Sequence, residues 1–136
     1  MFDVLSVQDK KEQERLAALC GAQYLPDALA YSLTVEEKFA GICQFYIRSG
    51  YGEIASLDKI PDFDGTAEGS AEQYLAALCR TSLSFLELIG IPTAIYGGKE
   101  KTKSQMIMCG FHEADDGKWS TDLKELFSHC ASESTH

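Results

Sequence analysis

The sequence predicts an α+β domain in which a mostly antiparallel β-sheet is flanked by helices. Stretches whose apolar side chains recur every second residue, which is typical of half-buried strands, alternate with stretches that have helical spacing. Their order along the chain is strand, helix, three strands, long helix, strand, short helix and two strands. Because successive strands joined by short turns pair antiparallel, this order predicts a mostly antiparallel sheet.

The length and composition predict one globular domain. The chain has 136 residues, of which 45% are hydrophobic and 24% are charged. This length suffices for one domain, and the apolar content suffices to form a core. We therefore expect a single domain over residues 1–136, with residues 131–136 as a disordered tail.

The first half of the chain is predicted to contain one helix and four strands. A strand over residues 2–7 precedes a helix that begins after Asp9 and ends near Cys20, because Asp at the N-cap typically starts a helix. Strands over 28–35, 39–48 and 53–57 follow, joined by short turns. We expect these three strands to form an antiparallel meander.

The second half begins with a loop over residues 58–69 and continues with the longest helix. Ser70 and Gln73 form an S-x-x-Q capping box at the start of that helix, and Gly90 ends it. The remaining segments are a strand over 93–96, a helix from Thr102 to Cys109, a hairpin over 111–123 and a last helical turn through 130.

Charge and cysteine content argue against several classes of protein. The 21 acidic and 12 basic residues give a net charge of −9, which disfavours nucleic acid and anionic membrane surfaces as partners. No apolar run approaches the roughly 18 residues of a membrane span, and the N-terminus lacks a signal-peptide core. The five cysteines lack the spacing of metal ligands. We expect them to be reduced in a cytoplasmic protein that has no metal site.

The order of elements resembles the GNAT superfamily of acyl-CoA-dependent N-acyltransferases over nearly the whole chain. The pieces that carry the resemblance are FAGICQFYIRSGYGEIASL, the helix after GSAEQYL, and the MIMCGF segment before the final hairpin. The resemblance implies a sheet that is splayed at its centre, between the strands at 53–57 and 93–96. It also implies that acetyl-CoA or another acyl-CoA is the cofactor, with its pantetheine arm in the gap like an extra strand.

The resemblance implies a pyrophosphate site in the loop that opens the long helix, where a helix N-terminus favours an anion. The family pattern there is Arg or Gln, two residues, Gly, one residue, and Gly or Ala. Gly69 and Ala71 match this pattern, and Ser70 lies between them. Thr66 occupies the position of the long polar residue.

Other candidate cofactor contacts are the backbone amides near Leu57, as donors to the oxyanion, and Lys99, as a ligand of a phosphate or of an acidic partner. A solvated charge at a helix entry is the simpler interpretation of Lys99. Five acidic residues and one basic residue between positions 58 and 72 give that segment a charge of −4. Such a charge opposes the binding of phosphate.

Two residues are candidates for catalysis. Glu53 begins the strand beside the predicted gap and is a candidate base for the amine, although a solvated carboxylate at a strand end is the simpler interpretation. Tyr96 ends the opposite strand and is a candidate proton donor, or else a packed ring whose hydroxyl reaches the surface. Many family members have a Tyr five residues before the Phe of the G-F motif, and in this sequence that position is Met106.

The sequence leaves two functions open. In the first, the protein transfers an acyl group from acyl-CoA to a small amine. In the second, the GNAT-like domain is catalytically degenerate, and it binds a cationic ligand or a protein partner instead. The oligomeric state is open in both.

Overall fold

A seven-stranded sheet flanked by four helices forms the part of the chain that the structure, a computed structural model, describes. That part is the backbone of residues 1–134 and the side chains of residues 1–128. Of the predicted disordered tail over residues 131–136, residues 131–134 form the end of the last helix, and residues 135 and 136 lie outside the described residues. The helices are α1 (Lys10–Leu19), α2 (Ala71–Leu88), α3 (Lys103–Cys109) and α4 (Leu123–Ser134). The strands are β1 (Phe2–Ser6), β2 (Leu29–Val35), β3 (Lys38–Ile47), β4 (Gly52–Lys59), β5 (Gly65–Thr66), β6 (Gly69–Ser70), β7 (Thr93–Tyr96), β8 (His112–Glu113) and β9 (Trp119–Asp122).

The sheet confirms the predicted fold class. Its strand order is β1-β2-β3-β4-β7-β9-β8, and every neighbouring pair is antiparallel except β4 and β7, which are parallel. The predicted meander is present as β2, β3 and β4. β5 and β6 form a separate two-stranded hairpin.

The helix ends follow the predicted capping residues. Asp9 caps α1 with its side chain, and Ser70 and Gln73 form both hydrogen bonds of a capping box at α2. Thr102 caps α3, and Gly110 ends that helix at a φ of 105°, a left-handed conformation that favours glycine.

Two sequence-based assignments are wrong in the middle of the chain. The predicted loop over 58–69 begins too early, because β4 continues through Asp58 to Lys59. The continuation is stabilised by pairing with β3, in which Ile42 lies opposite Asp58. The same loop contains the β5–β6 hairpin, whose two-residue strands are too short to show a period of two.

The core has one cluster on each face of the sheet. The larger cluster lies under α2, α3 and α4 and includes Phe45, Leu78 and Phe111. The smaller lies under α1 and includes Leu16 and Ile42. Four cysteines are buried as free thiols, as expected: Cys20, Cys43, Cys79 and Cys109. Cys130 lies outside the described side chains. None of the described helices is long and apolar enough to cross a membrane.

Candidate active site

The central strands β4 and β7 part along their length. Their parallel pairing covers three residue pairs and ends where Ile54 lies opposite Tyr96. The Gly97 N–H then donates to the Ile54 carbonyl at 2.8 Å, and β7 ends. β4 continues from Ala55 to Lys59, so within the described chain this part of its edge has no strand beside it on the β7 side.

A β-bulge lies where the strands part. Opposite β3, Phe45 pairs with Ile54 and Gln44 pairs with Ser56, which leaves Ala55 as an extra residue in β4. A bulge shifts the alternation of side chains by one position. As a result, Glu53, Ser56 and Asp58 all point to the face that carries α1, although without the bulge Glu53 and Asp58 would lie on opposite faces.

The free edge of β4 offers backbone donors to the gap. The Ile60 N–H donates to the Ala40 carbonyl at 2.9 Å, and therefore points toward β3. Because backbone groups alternate in direction along a strand, the N–H groups of Leu57 and Lys59 point away from β3, into the gap. The Leu57 side chain is buried in the larger core cluster, so only its backbone faces the gap.

A cavity of about 220 Å³ adjoins the gap on the α1 face. Three parts of the chain form its walls: the loop between α1 and β2, the free part of β4, and the loop after β7. The residues contributed are Gln23 and Leu25, then Ala55, Ser56 and Asp58, and finally residues 97–99.

Two fully buried glutamines hold the wall between α1 and β2 in place. Gln13 donates from Nε2 to Gln44 Oε1 at 2.9 Å and to the Leu25 carbonyl at 3.0 Å. Gln44 Oε1 also accepts from the Leu25 N–H at 3.0 Å, and Gln44 donates to the Gln23 carbonyl at 2.8 Å. This network ties the cavity wall both to α1 and to β3.

Asp58 is the acidic group of this cavity. The residue is 9% exposed, and its carboxylate accepts a hydrogen bond of 2.6 Å from the Ser56 hydroxyl. Among the described side chains, no Lys or Arg forms an ion pair with it. A nearly buried carboxylate without a countercharge favours the binding of a cation.

Several solved structures share this architecture. The ribosomal-protein-S18-alanine N-acetyltransferase from Escherichia coli matches with a TM-score of 0.63 and 16% identity, over 90% of this chain and 94% of that one. The paia N-acetyltransferase from Thermoplasma acidophilum, in complex with coenzyme A, matches with a TM-score of 0.63 and 11% identity, over 90% and 99% of the two chains. A GNAT family acetyltransferase from Brucella melitensis, in complex with acetyl-CoA, matches with a TM-score of 0.61 and 14% identity, over 90% and 88%. The chain has the GNAT fold.

The likeness is one of fold alone. No family model and no curated protein sequence matches the chain. At identities of 11 to 16%, the shared architecture does not extend to substrate or activity. What the site does has to be argued from its own residues.

Glu53, the predicted base, is already engaged in this GNAT fold. Its Oε1 accepts from Arg48 Nε at 3.0 Å, and the Arg48 guanidinium lies 4.0 Å from the centre of the Tyr46 ring. The other carboxylate oxygen packs against Gly97, where a Cβ would come within 2.4 Å of it. Glu53 is therefore next to the cavity but is not among its lining residues.

Tyr96 lies at the apex of the gap. Its hydroxyl donates to the Lys99 carbonyl and lies 2.8 Å from the position that a Cβ on Gly98 would occupy. The Ala55 carbonyl oxygen lies 3.2 Å from the same position, so the Tyr96 hydroxyl is beside the bulge. Burial raises the pKa of Tyr96 above its ordinary value of 10.0, and the negative charge of Asp58 raises it further. The hydroxyl therefore keeps its proton at neutral pH.

Met106, at the position where many GNAT proteins have a Tyr, is fully buried in the larger core cluster. It contributes packing and has no proton to donate. The side chain at the apex of the gap is that of Tyr96, which comes from β7, whereas Met106 lies in α3.

The loop before α2 satisfies its own hydrogen bonds. The Glu68 N–H donates to Thr66 Oγ1, which also bonds to the Tyr74 hydroxyl at 2.7 Å. The Ser70 N–H donates to Gln73 Oε1, and the Gln73 N–H donates to Ser70 Oγ. Three backbone donors of the predicted pyrophosphate site thus have partners within the chain.

The start of the β5–β6 hairpin lies against the first residue of α2. A Cβ on Gly65 would lie 2.9 Å from the Ala71 nitrogen, so the Gly65 backbone is close to that residue. Gly69, the first matching residue of the family pattern, packs against Tyr74, whose ring would be 3.4 Å from a Cβ at that position. The hairpin therefore lies next to the amides of the predicted pyrophosphate site.

The role of Lys99 as a phosphate ligand stays a prediction. The Lys99 side chain, in the loop after β7, lines the cavity. Its ammonium donates at 3.3 Å to the Gly21 carbonyl, which lies in the loop after α1.

Sequence reasoning missed Asp58 as a site residue, because the bulge that directs its side chain leaves no signal in the sequence.

Four larger hollows lie elsewhere in the described part of the chain. Two of them measure about 340 and 420 Å³, border α4 and the β8–β9 hairpin, and share His112 and Leu126. The third, of about 340 Å³, lies against α2 beside Phe85, and the fourth, of about 320 Å³, lies between β3 and the loop before α2. None is lined by the free part of β4. Among the described side chains, no group of three His, Cys, Asp or Glu residues is arranged to hold a metal ion.

Proposed function

We propose that the protein is an acyl-CoA-dependent N-acyltransferase that acts on a small amine bound in the cleft cavity. The observation that carries this proposal is a nearly buried carboxylate, Asp58, beside a strand edge whose backbone donors are free. The edge suits the extended amide-bearing arm of an acyl-CoA, which would pair with β4 as a strand does. The cavity suits an acceptor that carries a positive charge before it reacts.

Asp58 acts on the acceptor. It holds the ammonium form by charge and a hydrogen bond, and takes one proton from it directly or through a water molecule. The neutral amine then attacks the thioester carbon: a C–N bond forms, the carbonyl electrons move to oxygen, and the C–S bond breaks as the carbonyl re-forms. Asp58 releases the first proton to solvent, takes the second proton from the nitrogen once the C–N bond has formed, and releases that proton to solvent in turn.

The backbone and Tyr96 act on the acyl donor. The Leu57 N–H, which points into the gap, donates to the oxyanion that develops on the thioester oxygen. The Tyr96 hydroxyl gives its proton to the departing thiolate and regains one from solvent. Met106 takes no part, because it is buried away from the gap.

The test is acetyl transfer from acetyl-CoA to a panel of small amines, measured for the wild type, Asp58→Asn and Asp115→Asn. We expect Asp58→Asn to lower kcat/KM by at least about 100-fold, because a general base contributes roughly 10² to 10⁴. Asp115 is exposed in the turn between β8 and β9 and serves as the matched control, with near wild-type rates expected. Equal rates for Asp58→Asn and the wild type would contradict the proposal.

A second candidate function is favoured by the self-satisfied loop before α2. If the hairpin does not open, the domain binds a cationic ligand at Asp58 without using acyl-CoA. This function predicts that a polyamine such as putrescine binds to the folded protein, whereas acetyl-CoA does not bind at millimolar concentration. Micromolar binding of acetyl-CoA would exclude it in favour of the first.

A further inference from the structure

The cleft cavity carries two opposite charges that do not pair with each other. Asp58 lies on the β4 wall and is nearly buried, whereas Lys99 lies on the exposed loop after β7. Among the described side chains, neither residue forms an ion pair with any partner. Opposite charges kept apart in one cavity are complementary to a ligand that carries both charges.

The Lys99 ammonium is held at the cavity but is not saturated. One of its three donors is directed to the Gly21 carbonyl at 3.3 Å. The Lys99 backbone is fixed as well, because its carbonyl accepts the Tyr96 hydroxyl. The remaining donors are therefore held close to the cavity and are available to an anion.

The size of the cavity limits the ligand. Its volume is about 220 Å³, below the roughly 300 to 1,000 Å³ that is usual for drug-sized ligands. A single lysine matches the single charge of a carboxylate. A phosphate dianion would bring a second negative charge toward Asp58 without a second cation to balance it.

We propose that the acceptor is a small amino acid, whose ammonium binds at Asp58 and whose carboxylate binds at Lys99. The inference rests on the proposed function for the assignment of this cavity as the acceptor site. It goes further by making Lys99 a specificity-determining residue that selects amines bearing a carboxylate.

The test compares matched ligands by calorimetry, with and without coenzyme A present. The ligands are the ω-amino acids of two to five carbons and the n-alkylamines of the same carbon number. We expect at least one amino acid to bind about tenfold more tightly than its matched amine, as one charge-assisted hydrogen bond allows. Lys99→Met should abolish this advantage without weakening the binding of the alkylamine.

Matched variants separate the charge from other effects. Lys99→Arg keeps the charge and should retain much of the preference for the amino acid. Lys118→Met removes an exposed charge in the turn between β8 and β9 and should leave it unchanged. Asp58→Asn should weaken the binding of amino acids and alkylamines alike.

The outcomes distinguish the inference from the proposed function. Amino-acid binding that depends on Lys99, without acetyl transfer, would support the inference and reject the acyltransferase. Acetyl transfer to alkylamines as efficient as to amino acids would support the acyltransferase and reject the inference. The inference is also wrong if no amino acid in the series binds better than its matched amine.

Discussion

At the scale of single residues, the position of Asp58 shows what the sequence does and does not reveal. From the sequence, Asp58 is one of the five acidic residues between positions 58 and 72 and was placed in a loop. The structure places it in β4, on the same face as Glu53, because Ala55 is bulged. A one-residue shift reverses the face of every later side chain in a strand. The apolar pattern of residues 53–57 fits either register, so this face could not be predicted.

Tyr96 was predicted from its position at the end of a strand, and the structure leaves its catalytic role a prediction. Removing its hydroxyl should lower kcat for acetyl transfer by about 100-fold, the usual size of a general-acid contribution. The comparison is Tyr96→Phe against Tyr51→Phe, which changes a Tyr in the turn before β4. An unchanged kcat in Tyr96→Phe would exclude Tyr96 as the proton donor.

The raised pKa of Tyr96 adds a pH dependence to that prediction. The folded protein holds the phenol protonated beyond its ordinary pKa of 10.0. Deprotonation of Tyr96 should therefore cause no fall in kcat below pH 10.0. A fall in kcat near neutral pH that disappears in Tyr96→Phe would contradict this assignment.

At the scale of elements, the sequence predicted what short-range signals encode. Capping residues marked the starts of α1 and α2, and the turns marked the meander. The β5–β6 hairpin was missed because its strands are two residues long. Leu19 and Ile89 are apolar but 47% and 48% exposed, because each lies at a helix end.

The loop between α1 and β2 depends on the buried Gln13–Gln44 pair. Gln13→Leu would leave the Leu25 carbonyl without its side-chain donor, and should cost about 1 to 3 kcal/mol of unfolding free energy. It should also raise KM for the amine, because the cavity wall loosens. Urea denaturation provides the measurement. The exposed Gln8→Leu is the control and should change stability by no more than about 0.5 kcal/mol.

At the scale of the whole molecule, the composition predicted a folded domain but not the gap in its sheet. The parting of β4 and β7 depends on where β7 stops and on the Gly97 hydrogen bond to Ile54, which are long-range features. The resemblance to the GNAT superfamily supplied that expectation, and the structure confirms the fold.

Buried thiols make the stability of the whole molecule sensitive to alkali. Burial raises the pKa of Cys20 and of Cys43 from 9.0 to about 12. Between these pH values the unfolded chain releases protons that the folded chain retains, so stability falls as pH rises. The slope is up to about 1.4 kcal/mol per pH unit for each thiol. Urea denaturation from pH 8 to 11 should show a shallower decline for Cys20→Ala than for the wild type, and parallel declines would contradict the account.

The central claim is that an acyl-CoA lies along the free edge of β4, beside the Asp58 cavity. At 15.0 kDa, the protein suits a backbone amide NMR titration with coenzyme A. The account predicts saturable shifts at the amides of Leu57 and Lys59, which point into the gap, and smaller shifts at the amide of Ile60, which is bonded to β3. Shifts confined to other parts of the chain, or none at millimolar coenzyme A, would contradict it.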